Sequence, residues 1–293
     1  MTIVPGEVKT AVLHQYLLGA VAPRPICFAS TVDEMGRPNL SPYSFFNVFG
    51  SNPATLVFSP SRKVRNNTLK HTLENVQATG EVVINMVTYA MVQQTSLSSC
   101  EYPQGMDEFI KAGFSKLPSV KVKPWRVAES PVQIECKVKQ VIETGEEGGA
   151  GNLVICEVLL MHINDSVLNE NGQIDPHKID LVARMGADYY CRASGIAVFE
   201  VPKPNTELGM GFDALPEGIR HSRVLTGNHL GMLANCTAMP SADPAFHDVR
   251  VTEIVQYFAL DTTAMETELH RYAAVLLDQG KLAYAWQVLL SVV

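Results

Sequence analysis

The run Pro25-Ile26-Cys27-Phe28-Ala29-Ser30-Thr31-Val32, the four residues Asp33-Glu34-Met35-Gly36, and the run Pro38-Asn39-Leu40-Ser41-Pro42-Tyr43-Ser44-Phe45-Phe46 decide the fold class. The middle four carry turn chemistry between two apolar stretches, so a strand, a tight turn and a returning strand are expected. Thr55–Ser59 and Glu81–Val87 are further short strands. Val132, Ile134, Cys136 and Val138 alternate with Gln133, Glu135 and Lys137, the period-two pattern of a half-buried strand. Gly145–Gly151 then reads as a hairpin tip leading into the strand Asn152–Ile163; as a phosphate loop it would set Glu146 and Glu147 against the ligand. Helices between these strands are short: Thr10–Leu18, Ala90–Ser99, Asp107–Ala112, and Asn66–Ala78, where Leu69, Leu73 and Val76 form a stripe and Gly80 supplies a stop. This pattern predicts a mainly β barrel or sandwich. No G-x-G-x-x-G follows a strand, so a dinucleotide-binding doubly wound sheet is not expected.

After Phe199 the texture changes. Pro202-Lys203-Pro204-Asn205 is a break, and Pro216–Leu225, Glu266–Leu277 and Leu282–Val292 read as helices. The expected organisation is a domain over residues 1–200 and a helical C-terminal extension over 201–293. That extension is either a subdomain of its own or an arm that meets a partner subunit.

A hydrophobic content of 46% and a charged content of 18% place the chain among globular proteins. The formal charge of −7 argues against a nucleic-acid binder, which needs a broad cationic face. The apolar run Val154–Ile163 is interrupted by Glu157 and His162 and is too short to span a bilayer. Met1–Glu7 has no basic start followed by an apolar run, and the six cysteines contain no C-x-x-C pair. Reduced thiols, a cytoplasmic location and no membrane or nucleic-acid partner are expected. With no G-x-S-x-G, no H-E-x-x-H and no clustered His/Cys set, neither a hydrolase triad nor a metal site is expected.

One stretch stands apart from the acidic whole. Residues 35–73 contain no Asp or Glu but carry Arg37, Arg62, Lys63, Arg65 and Lys70. The segment Ser59-Pro60-Ser61-Arg62-Lys63-Val64-Arg65-Asn66-Asn67-Thr68 joins hydroxyls and adjacent cations to an expected helix start, the groups that a small phosphorylated ligand needs. A solvated basic loop is the plainer alternative. Asn67 and Thr68, at that helix start, fit either a cap or a phosphate contact.

The run Ala22-Pro23-Arg24-Pro25-Ile26, continued by Ser30 through Asn47, resembles the flavin reductase-like family of FMN-binding split barrels. Asn52-Pro53-Ala54, Asn67-Thr68-Leu69, Tyr102-Pro103 with Asp107-Glu108-Phe109, and Arg184-Met185-Gly186 with Tyr189-Tyr190 match in the same order. The resemblance covers roughly residues 15–200. It implies a Greek-key split β-barrel, a homodimer, and FMN held near the subunit interface. It further implies flavin-ring contacts, largely through backbone groups, from Thr31 and the turn Ser44, Phe45, Phe46, Asn47, and a phosphate site at Ser59, Ser61, Arg62, Lys63 and Thr68. It also implies a histidine, His162, beside the flavin, for which a structural place at the strand end is the alternative. Where the family often has Lys-Asp-Thr, this chain has Asn66-Asn67-Thr68, with its cations just upstream. Because strand side chains alternate, at least one of Phe45 and Phe46 is expected to fill the core.

The function these readings imply is an oxidoreductase that takes hydride from NADH or NADPH and passes electrons to a flavin, another small acceptor or a partner oxygenase. The alternative is an FMN-binding electron carrier or sensor without nicotinamide turnover.

Overall fold

In the computed structural model, residues 1–202 and 207–291 are described. The chain divides into two compact units, Met1–Phe199 and Glu200–Val293. Lys203, Pro204 and Asn205 of the expected break, and Val292 of the expected last helix, lie outside the described residues.

The first unit opens with helix α1 (Thr10–Ala20). Strands β1 (Arg24–Pro25), β2 (Cys27–Val32), β3 (Pro38–Tyr43), β4 (Phe46–Ser51) and β5 (Ala54–Phe58) follow in close succession. The turn after β2 forms as its residues dictate. Asp33 accepts hydrogen bonds from the backbone N–H groups of Met35 (3.0 Å) and Arg37 (2.8 Å), and Gly36 adopts a φ of +77°, which a side chain would strain. The returning strand is shorter than expected: it ends at Tyr43, and Phe46 begins the separate strand β4.

Helix α2 (His71–Thr79) leads into β6 (Glu81–Met86), and α3 (Val92–Leu97) and α4 (Glu108–Ala112) come before the short pair β7 (Lys116–Leu117) and β8 (Arg126–Val127). The long hairpin of β9 (Val132–Glu143) and β10 (Asn152–Ile163) follows, then β11 (Val182–Arg184) and β12 (Tyr190–Arg192). α2 starts later than its apolar stripe implies, with Lys70 at the N-cap and Gly80 at the C-cap in the left-handed region. Asn67 delays it: its own φ is +55°, and Thr68 donates to the Asn66 side chain (2.9 Å), so the backbone turns before the helix can begin.

Seven strands form one antiparallel sheet in the order β3-β2-β6-β9-β10-β5-β4. The chain leaves the sheet after β5 and re-enters in the middle at β6, and β3 and β4 stay unpaired with each other. This is a Greek-key barrel left open along one seam. The core inside it includes Cys27, Ala29, Tyr43, Phe46, Leu56, Phe58, Ile84, Cys136, Val154 and Cys156, with Leu73 and Val76 of α2. A second cluster, with Phe28, Leu40, Met91, Phe109 and Phe114, covers the other side of β2, which is why that strand is buried on both faces. The six cysteines are free, and burial pushes the Cys156 thiol up to about 12.

The second unit is helical: α5 (Glu217–Arg220), α6 (Gly227–Ala234), α7 (Val249–Tyr257), α8 (Thr262–Asp278) and α9 (Leu282–Leu290). Leu233, Leu269, Ala273, Leu277, Ala285, Trp286 and Leu289 form its own core. Its helices start where side-chain oxygens stand ready: Thr226, Asp248 and Asp261 accept from backbone N–H groups at the starts of α6, α7 and α8. Of the expected Pro216–Leu225 helix, one turn forms, and α6 and α7 have no counterpart in the sequence reading.

Candidate functional site: a cationic cleft at the tip of the long hairpin

The segment after β5 takes its shape from β10. Ser59 accepts the backbone N–H of Asn152 at 3.0 Å, and the Asn152 side chain donates to the carbonyl of Pro60 at 2.8 Å. The hairpin tip then continues the contact through backbone groups: Arg62 N–H donates to Ala150 (2.9 Å) and Gly149 N–H donates to Arg62 (3.0 Å). A Cβ on Gly148 would lie 3.0 Å from the carbonyls of Lys63 and Val64, a tight approach that the missing side chain relieves. The glycines of the tip thus serve close backbone approach, and what they frame is the cationic loop.

That loop forms one wall of a cleft of about 640 Å³, within the size range of small-ligand sites. Ser44, Phe45, Ser59, Ser61, Arg62 and Lys63 line it together, joined by Arg65, Lys70 and Arg184. His14, Leu18, Pro42 and the half-exposed Phe45 supply its apolar lining, with the His14 and Phe45 rings edge to face at 6.2 Å. Arg62 is aimed by its neighbour: Nε donates to Asn67 Oδ1 at 2.7 Å and a terminal nitrogen donates to the Asn67 carbonyl at 3.2 Å. Asn67 is held in turn by its own donation to the Glu146 carbonyl (3.0 Å). Lys70 is half-buried, and its ammonium is pushed below the ordinary lysine range by burial and then by Lys63.

Arg24 adds a charge that the sequence left unremarked. Its guanidinium is buried and donates to the carbonyls of Leu18 (2.6 Å) and Val21 at the end of α1 and to that of Met185 (2.8 Å), with Nε 3.5 Å from Ser44 Oγ. It ties α1 and the β11 end to the cleft wall. Burial, and to a lesser extent the neighbouring Arg184, lower its pKa. Arg184 itself lies over the Tyr190 ring at 4.6 Å.

The structure separates the other expected site residues from this cleft. Phe46, the first residue of β4, is the core member of its pair, and Phe45, in the bend before that strand, lines the cleft. Asn47 is exposed on β4 and accepts from the N–H of Val48. Thr31 is fully buried, and its hydroxyl accepts from Asn75 (3.0 Å) and Asn39 (3.3 Å), a polar pin between α2 and the sheet. Thr68 caps no helix, because α2 begins beyond it.

His162 is the largest displacement. It lies ten residues along β10 from Asn152, roughly 33 Å at about 3.3 Å per residue. There Nε2 is 2.6 Å from the buried carboxylate of Glu135, so within the chain its place is structural and it does not join the cleft.

The donor set suits a phosphorylated aromatic ligand: hydroxyls and cations line the same cleft as apolar side chains and an aromatic ring. A family model described as "Flavin reductase like domain" matches residues 19–178. An uncharacterized protein of Aquifex aeolicus is 35% identical over 195 residues, which are 67% of this chain and 97% of that protein. Among solved structures, nitrilotriacetate monooxygenase component B from Bacillus cereus superposes with a TM-score of 0.64 at 25% identity, covering 69% of this chain and 98% of its own. The Pseudomonas fluorescens 2-nitrobenzoate 2-nitroreductase NbaA superposes at 0.61 and 24% identity, over 69% of this chain and 96% of its own, a likeness of fold. The family match spans more than half of the chain and falls on the unit that builds the cleft: this protein belongs to the flavin reductase-like family of split-barrel proteins.

Proposed function

We propose that this protein is an FMN-binding oxidoreductase that takes hydride from NADH or NADPH and passes electrons to a flavin or another small acceptor. The observation that carries the reading is the cleft, which Ser59, Ser61, Arg62 and Lys63 line together with Phe45 and Pro42. When bound, FMN supplies the redox chemistry. The chain's part is to hold it: the cations and hydroxyls of the loop take the phosphate, Asn67 aims Arg62, and Ser44, Phe45, Pro42 and Leu18 receive the ring. Residues 1–200 form the flavin-binding domain in this reading, and 201–293 are an extension beyond the family match.

A homodimer fits the same picture. β4 is a sheet edge with Val48 and Phe49 exposed, and Leu159 and Met161 of β10 are exposed too, a surface that a second copy would cover. A partner oxygenase as acceptor is supported by the likeness to the Bacillus cereus protein, a monooxygenase component. No helix among the described residues is long and apolar enough to cross a membrane, which accords with a cytoplasmic place.

The test is anaerobic mixing of the FMN-loaded protein with NADH or NADPH while the flavin band is followed. Rapid stoichiometric bleaching is expected. Reduction by dithionite alone would leave an electron carrier and sink the nicotinamide step.

A further inference from the structure

We propose that the Glu101 carboxylate is a built-in competitor for the ligand's phosphate, holding cations of the cleft until the phosphate displaces it. The proposal rests on the FMN reading above. Among the residues lining the cleft, Glu101 is the one acid, set against Arg62, Lys63, Arg65, Lys70 and Arg184. It lies 3.2 Å from Lys63 Nζ and 3.3 Å from an Arg65 terminal nitrogen, so a single carboxylate bridges two cations. Hydrogen bonding and attraction from Lys63, with Lys70 and Arg65 behind, hold its carboxyl below the usual range, and it is therefore charged at neutral pH.

Two properties make this contact replaceable. Exposed ion pairs are weak, and of the groups in this contact Arg65 is largely solvated and Glu101 about half exposed, with Lys63 the more buried partner. Glu101 also comes from outside the sheet, in the stretch between α3 and α4, so it can swing away without breaking a ladder hydrogen bond. A phosphate monoester brings up to two negative charges and three acceptor oxygens to the same cations, against one charge and two oxygens for the carboxylate. The ligand wins that exchange, at the expense of some affinity.

The test compares the full chain with Glu101→Gln, titrating FMN and riboflavin by flavin fluorescence quenching at low and high salt, with inorganic phosphate as competitor. Removing one unit charge a few ångströms from the phosphate should tighten FMN binding about three- to tenfold at low salt, and the gain should shrink at high salt. Riboflavin affinity should not change, and the inhibition constant of phosphate obtained from the competition should fall by a similar factor. Glu101→Ala giving the same gain would assign it to the charge. If the wild type prefers FMN to riboflavin but E101Q binds FMN equally or more weakly, the carboxylate positions the cations rather than competing, and the proposal falls while the FMN reading stands. If the wild type binds riboflavin as tightly as FMN, the phosphate reading fails and the competitor with it.

Discussion

The two ends of the β9–β10 hairpin treat charge in opposite ways. At the far end, Glu135 is fully buried, and its carboxylate accepts the backbone N–H groups of Val120 (2.9 Å), Lys121 and Val122 (3.3 Å) as well as meeting His162. Every lone pair has a use, and the loop over residues 120–122 is pinned to the sheet. At the near end, the tip backs a loop whose cations outnumber the one carboxylate among the cleft-lining residues. A charge satisfied from within the fold marks architecture, whereas charge left in excess around a cleft marks a place for a ligand.

The largest expected effect breaks the far end. Glu135→Ala leaves three N–H groups facing the place of the lost carboxylate, and we expect a loss of roughly 3 kcal/mol or more in urea unfolding. Wild-type stability in that variant would show that the network does not hold the fold. The near end should respond in affinity instead. Arg62→Ala should weaken FMN binding about ten- to hundredfold, or ~1.4–2.7 kcal/mol, with riboflavin affinity unchanged and little effect on unfolding. Lys63→Ala is the internal control. If it alone produces the loss, the site stands on a different cation; if neither variant separates FMN from riboflavin, the cationic loop is a solvated face.

Acid sharpens the contrast. Burial favours the neutral form of Glu135, but hydrogen bonds from His162 and from the N–H groups of Val120 and Lys121 prevail and hold its carboxyl below the ordinary range. The folded state therefore binds the proton less readily than the unfolded chain. The stabilisation is complete above the unfolded value of about 4.3 and is lost as pH falls through the lower, folded value. The stability gap between the wild type and Glu135→Gln, measured by urea unfolding across a pH series, should close below about pH 4. A gap independent of pH would refute this account.

The smallest effect is expected at His162. His162→Gln should change stability by about 1 kcal/mol or less and flavin affinity by less than about twofold. A large loss of flavin binding in an intact fold would return His162 to the site, through a second copy of the chain.

Much of the sheet was legible because its cause is local. The Asp33–Gly36 turn, the alternation along β9 and the glycine-rich tip each follow from neighbours in sequence. The cationic loop was legible too, since Arg62, Lys63, Arg65 and Lys70 are close along the chain. His14 and Glu101 were not, because each reaches the cleft from a different element and carries no mark in its own surroundings, and the role of Arg24 as a tie behind the cleft shows only in the folded chain. The burial of the Thr31 hydroxyl was not legible for a related reason: the Asn39–Thr31–Asn75 pin joins residues that meet only once the chain has folded back, whereas the late start of α2 is the local work of Asn66, Asn67 and Thr68.

By itself, the sequence determined the class of fold, the antiparallel hairpins and the concentration of positive charge after β5, because periodicity, turn chemistry and charge act between near neighbours. The tertiary structure alone decided which end of a twelve-residue strand faces the cleft. Period-two alternation assigns a side chain to a face of the sheet but says nothing of its position along a strand that spans about 40 Å. Register and the path of distant segments fix that position, and they placed Asn152 at the cleft and His162 beside Glu135 at the opposite end.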